Sequence, residues 1–173
     1  SSHQIDNIFW LALLQGWPLR SLNHISQRAL HQIDQFHKAV QNSNQFYFIS
    51  SRRSLEDYIL KRMKNRKITA GWLAIEGAQA LEGNLAILDQ LFRHGVRMMS
   101  PAHLTDSNIG GSQQGTKKYG LTPLGKEWLK KINELGMIVD LAHASAQVID
   151  DVLTLSSRAP LVSHTGVKGV CDN

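Results

Sequence analysis

The chain has 173 residues, 42% of them hydrophobic and 19% charged, with a formal net charge of +5. That length supports one domain with a real core, and the composition, ordinary for a globular protein, favours neither a disordered nor a fibrous one. The longest apolar stretches, such as Phe9 to Leu14 and Met137 to Ala142 (the latter interrupted by Asp140), are too short to cross a bilayer, and Ser1-Ser2-His3-Gln4 has none of the features of a signal peptide.

The first twenty residues have no clear pattern. A helix is expected over roughly Ser21 to Gln41, then a strand Phe46-Tyr47-Phe48-Ile49. The next helix is predicted to begin at Ser54-Leu55-Glu56-Asp57, a capping-box pattern. It ends in the basic run from Lys61 to Lys67, which with Arg52-Arg53 holds much of the positive charge. No aromatic residues are interleaved with that run, so a solvated helix end, where cations suit the helix dipole, is favoured over a nucleic-acid surface. The run Ile68 to Ile75 reads as one strand, followed by Glu76-Gly77.

Asn84 is the expected N-cap of a helix with Leu85, Leu88, Leu91 and Phe92 at helical spacing, stopped by Gly95. Val96 to Ser100 is the next strand and leads to His103. Thr122-Pro123 opens a further helix, with Leu124, Trp128, Leu129, Ile132 and Leu135 as its buried stripe and Gly136 as its stop. The strand Met137 to Ala142 ends on His143; the helix from Ser145 carries Val148, Val152, Leu153 and Leu155; and Pro160-Leu161-Val162-Ser163 delivers His164.

Helices alternating with strands imply an α/β protein with parallel pairing and right-handed crossovers. A doubly wound sheet and a (β/α)8 barrel of the TIM type both satisfy this. No Gly-x-Gly-x-x-Gly follows a strand, which removes support for a dinucleotide-binding sheet. In a barrel the strand ends converge on one face and supply the reactive groups. Glu76, His103, His143 and His164 all stand at or just beyond strand ends, which favours the barrel.

Two imidazoles and a carboxylate at one face make a set that binds zinc with a coordination position left open. A lone histidine at a strand end is more often a hydrogen-bonded cap; the repeated placement of His143 and His164 argues for ligands. Gly77 beside Glu76 permits close backbone approach. His24, His31 and His37 read as surface residues of the early helix, and His94 as a donor at a helix C-terminus. Asp140 is a candidate to orient a ligand, and Asp106 a turn cap. The loop Gly110-Gly111-Ser112-Gln113-Gln114-Gly115 reads as a lid or a long connection, without the lysine of a phosphate loop. The single Cys171 rules out an internal disulfide.

Ile75-Glu76-Gly77-Ala78, Asp140-Leu141-Ala142-His143-Ala144-Ser145 and Val162-Ser163-His164-Thr165-Gly166 resemble three segments of the renal (membrane) dipeptidase family. The His103 segment and Gly120-Leu121-Thr122-Pro123-Leu124-Gly125 match in order and approximate spacing. The resemblance runs from about Ser21 to the end and is nearest to bacterial members. It implies that Glu76 bridges two zinc ions, that His143 and His164 complete the protein ligands of one, and that His103 contacts the substrate or tetrahedral intermediate as an electrophile. The implied reaction is hydrolysis of a dipeptide by a metal-bridging hydroxide.

The family's His-x-Asp pair at the first strand has no match: His3-Gln4-Ile5-Asp6 is His-x-x-Asp and lies too near Glu76. The family's late aspartate and substrate-anchoring arginine are not found before Asn173. Residues 1–173 are therefore expected to form a partial barrel of about five of its eight strands, weakly active or inactive alone and prone to self-association through exposed strand edges. Another metal-dependent amidohydrolase on the same barrel, acting on an amide or lactone, and a non-catalytic barrel fragment are the alternatives.

Overall fold

The computed structural model describes residues 23–165. The chain divides into two compact units, which among these residues are 23–73 with 80–95, and 74–79 with 96–165. No helix of the described residues is long and apolar enough to cross a membrane.

In the first unit, α1 (Ile25–Gln41) buries Ser26, Ala29, Leu30 and Ile33, a stripe at helical spacing. Its N-cap, His24, makes no side-chain cap. The work is done by Glu82, whose two carboxylate oxygens accept the Ile25 N–H at 2.9 Å and the Ser26 hydroxyl at 2.7 Å. Strand β1 (Phe46–Phe48) pairs in parallel with β2 (Thr69–Gly71), Phe46 opposite Thr69. Phe36 of α1 meets Phe46 and Phe48 edge-on, with ring centroids 5.8 and 5.4 Å apart.

Between these strands runs α2 (Arg52–Lys64), which buries none of its residues. It starts earlier than expected: Ser51 is the N-cap, and Ser54 is the third helical residue, closing a reciprocal capping box. Both serines suit a cap, and the sequence alone does not rank them. The basic run is partly used internally. Arg62 donates to the carbonyls of Arg66 and Ile68, and Lys61 sits 4.7 Å above the Tyr47 ring. His37 is not a surface residue: half-buried, it contacts the His94 carbonyl through Nε2 at 2.9 Å and meets Phe48 edge-on.

The apolar run Ile68 to Ile75 is not one strand. It breaks at Trp72 into β2 and β3 (Leu73–Ile75), which belong to different sheets. A 3-10 turn (Ala78–Leu81) and α3 (Ala86–Arg93) follow. The α3 N-cap is Leu85; Asn84, one residue earlier, accepts the Ala86 N–H at 2.9 Å. The helix ends through His94, whose Nδ1 lies 2.8 Å from the Gln90 carbonyl, and Gly95 at φ +96°.

In the second unit the sheet order is β3, β4 (Val96–Met99), β5 (Ile138–Val139), with β4 and β5 parallel. The strand expected over Pro160–Ser163 reduces to a single parallel bridge between Asp140 and Leu161. Helix α4 (Pro123–Leu135) has the expected ends: Thr122 caps the Gly125 N–H, and Gly136 stops it at φ +69°. Its Trp128 is fully buried and donates to Met99 Sδ of β4 at 3.4 Å. Ser145 caps α5 (Ala146–Leu155), which buries Val148 and Val152. The described residues thus form a mixed α/β fold with sheets of two and three strands and no closed barrel.

Candidate metal centre

Three ends of the second unit's sheet converge. Glu76 follows β3, and the Gly77 N–H after it donates to the buried Ser100 Oγ at 2.7 Å, tying the turn to the end of β4. Gly77 is at φ +93°, and a Cβ there would come within 3.1 Å of the His103 Cβ; glycine lets His103 approach. His143 follows Asp140 in the left-handed region at φ +62°. His164 follows the Leu161 bridge.

Glu76 Oε1 lies 3.1 Å from His143 Nε2, 3.2 Å from His164 Nε2 and 3.6 Å from His103 Nε2. The two Nε2 atoms of His143 and His164 are 2.9 Å apart. One donor atom from each of Glu76, His143 and His164 falls within 4.8 Å of the others, the grouping expected of a metal site. His103 is outside that group but stacks edge-on against His143, ring centroids 4.6 Å apart.

The other ring nitrogens also have partners. Asp140, buried, accepts the Ala142 and Ser163 N–H groups at Oδ1 (both 3.0 Å) and the Ser163 hydroxyl at Oδ2 (2.6 Å). With its hydrogen given to a carboxylate, Ser163 Oγ can only accept from His164 Nδ1, 2.9 Å away. In a neutral ring that arrangement leaves His164 Nε2 as the nitrogen without a hydrogen. On the other side Gln114 Oε1 lies 3.3 Å from His143 Nδ1, and a carbonyl oxygen only accepts. With both rings neutral, two imidazole lone pairs and a carboxylate oxygen would face one another, an arrangement that a cation among them would hold together. The donor set therefore fits a metal ion.

The segment Gly110–Gly115 is a support rather than a lid. Gln113 N–H donates to the His143 carbonyl at 2.8 Å, Ser145 N–H to the Gly111 carbonyl at 3.0 Å, and Ser112 Oγ to the His103 carbonyl. Asp106 anchors it from behind by accepting the Lys117 and Ser112 N–H groups. Those bonds outweigh burial and hold its carboxyl below the usual carboxylate range. Asp140, three residues before His143, is hydrogen-bonded instead to Ser163, the neighbour of His164. Ser163 and Gln114 escaped the sequence reading, since neither residue type signals a role until the fold brings it to an imidazole.

A family model described as membrane dipeptidase (peptidase family M19) matches residues 4–173. The chain belongs to that family. An uncharacterised dipeptidase of Schizosaccharomyces pombe is 33% identical over 110 residues, covering 62% of this chain and 27% of its own length. Human dipeptidase 3 is 27% identical over 151 residues, covering 84% of this chain and 29% of its own length. The chain thus spans about a third or less of the curated dipeptidases it matches. Among solved structures, a probable dipeptidase of Pseudomonas aeruginosa superposes with a TM-score of 0.73 at 24% identity, over 85% of this chain and 39% of that one. A metallopeptidase of Rhodobacter sphaeroides, liganded with a phosphinate mimic of L-Ala-D-Ala, does so at 0.66 and 22%, over 83% of this chain and 40% of that one. At these identities the two structures support a shared fold.

Proposed function

We propose that this M19 chain contributes the metal-binding part of a zinc-dependent dipeptidase, with Glu76, His143 and His164 as ligands and His103 directed at the substrate. The observation that carries this reading is the approach of Glu76 Oε1 to both Nε2 atoms, at 3.1 and 3.2 Å, with each imidazole's other nitrogen already engaged. Two nitrogens and one oxygen are donors suited to zinc, whose structural sites favour fuller sulfur or nitrogen sets. Bound zinc would supply Lewis acidity, polarising a carbonyl and acidifying a water.

The chain's own residues have distinct parts in this reading. Glu76 brings the negative charge that holds a cation between the histidines. His103, 3.6 Å from Glu76 and outside the ligand cluster, is free to turn a ring N–H toward the oxygen that gains charge when a peptide carbonyl is attacked. Ser112, donating to the His103 carbonyl, fixes where that ring starts. The likeness to family structures also supports reading residues 1–173 as one partial (β/α)8 barrel domain.

Elemental analysis of the purified chain tests the site. Zinc is expected in the wild-type chain and absent from the Glu76→Ala, His143→Ala double variant. Equal metal in both would separate these residues from any bound zinc. In a longer protein containing this segment, His103→Ala is expected to lower kcat for dipeptide hydrolysis while leaving zinc content unchanged; loss of zinc would make it a ligand instead.

A further inference from the structure

The site holds a hydrogen-bond relay that runs from a buried carboxylate through a hydroxyl to one ring nitrogen. We propose that Asp140 and Ser163 are positioning residues that lock His164 as the Nδ1–H tautomer, so that Nε2 is presented without a hydrogen to the metal. The proposal rests on the reading of His164 as a ligand, and its geometry is independent of which metal binds.

Directionality makes the relay informative. A carboxylate accepts and does not donate, so the 2.6 Å contact from Ser163 Oγ to Asp140 Oδ2 consumes the hydroxyl hydrogen. Asp140 cannot swing away, because its other oxygen holds the Ala142 and Ser163 N–H groups, both at 3.0 Å. Asp140 is buried at 5% exposure, whereas His164 is exposed. An exposed imidazole is otherwise free to rotate and to exchange tautomers, and a metal would have to order it at a cost in affinity. The partner groups around ligating histidines commonly change metal affinity by about 10–100-fold.

The relay can be reversed by one atom. In Asp140→Asn the amide oxygen is drawn to the two backbone N–H groups, which leaves the NH2 facing Ser163 Oγ. Ser163 then accepts from it and turns its own hydrogen onto His164 Nδ1. His164 must carry its proton on Nε2, the atom that faces Glu76 and His143. Ser163→Ala removes the link without reversing it, and Ser163→Thr keeps the hydroxyl.

The test combines 15N-detected imidazole spectra of the metal-free full chain with zinc titrations of the same samples. Spectra are recorded at about pH 8.5, two units above the ordinary imidazole value. The wild type and Ser163→Thr are expected to show His164 as Nδ1–H, and Asp140→Asn as Nε2–H. Zinc affinity is expected to fall at least about tenfold in Asp140→Asn and less in Ser163→Ala. A wild-type His164 already protonated on Nε2, or a tautomer unchanged in both Asp140→Asn and Ser163→Ala, would overturn the proposal. Should Asp140→Asn fail to fold by circular dichroism, the Ser163→Ala and Ser163→Thr pair decides alone: a tautomer preference lost in the first and kept in the second supports the relay, and the same preference in both rejects it. A chain that binds no zinc but shows the expected tautomers removes the metal reading and leaves the relay standing, so the two failures are distinguishable.

Discussion

Gly125→Ala sets two well-understood effects against each other. Gly125 is the third residue of α4, and by helix propensity alone alanine there should stabilise the protein by up to about 1 kcal/mol. The packing predicts the opposite sign. A Cβ at Gly125 would lie 2.0 Å from the Ile109 carbonyl oxygen and 3.0 Å from its carbon. That oxygen is fixed backbone, accepting the Thr122 N–H at 2.9 Å. Restoring ordinary contact requires about 1.4 Å of movement by the helix start or by the segment carrying Ile109. Overpacking of this kind costs about 1–3 kcal/mol, and a clash with backbone belongs at the upper end. The net expectation is destabilisation by about 1–2 kcal/mol, read as a lower urea midpoint with an unchanged m-value. A variant as stable as wild type or more so would show that the α4 start is not seated against Ile109 as described.

Two further substitutions probe other joints. Gln114→Ala removes the amide from His143 Nδ1 and is expected to weaken zinc binding by about tenfold or more with little change in folding stability; unchanged affinity in titrations would make Gln114 a bystander. Glu82→Gln is expected to cost about 1 kcal/mol, by weakening the bonds to Ile25 and Ser26 that begin α1. Burial pushes the Glu82 carboxyl up, but Ser26, the Ile25 N–H and His24 outweigh it and bring it below its ordinary 4.5. Its stabilisation is therefore full above about pH 4.5 and lost as pH falls through the lower folded value, so wild type and variant should converge in acid denaturation curves. Curves that stay parallel would deny the carboxylate this role.

Features dictated by local chemistry were legible in the sequence. Thr122-Pro123, Gly136 and Ser145 cap α4 and α5 as read, because a cap is decided within a few residues. Placing Glu76, His143 and His164 just past strand ends also identified the three groups that converge. What failed was decided at a distance. The run Ile68 to Ile75 is continuously apolar or small, so no periodicity marks Trp72 as the point where the chain leaves one sheet for another. The segment at Leu161 pairs through a single bridge to Asp140, a length that its own composition does not reveal. Ser163 and Gln114 reach their partners across 23 and 29 residues, to Asp140 and His143.

His143 joins backbone conformation to chemistry in a way that a paired substitution can isolate. Its φ of +62° is one that a side chain bearing a Cβ adopts at a cost of about 1–2 kcal/mol. The turn has a reason to be there: it leaves the His143 carbonyl to accept the Gln113 N–H at 2.8 Å and brings the ring to Glu76 at 3.1 Å. His143→Ala and His143→Gly remove the ring equally, and both should abolish zinc binding. They differ only in the Cβ. In an ordinary helix or strand the alanine variant would be the more stable by about 0.5–1 kcal/mol. Here the order is expected to invert, with the glycine variant ahead by about 1 kcal/mol in urea denaturation. If alanine proves the more stable, the backbone at residue 143 is not held in the left-handed region. The imidazole would then owe its position to its hydrogen bonds and not to a strained turn.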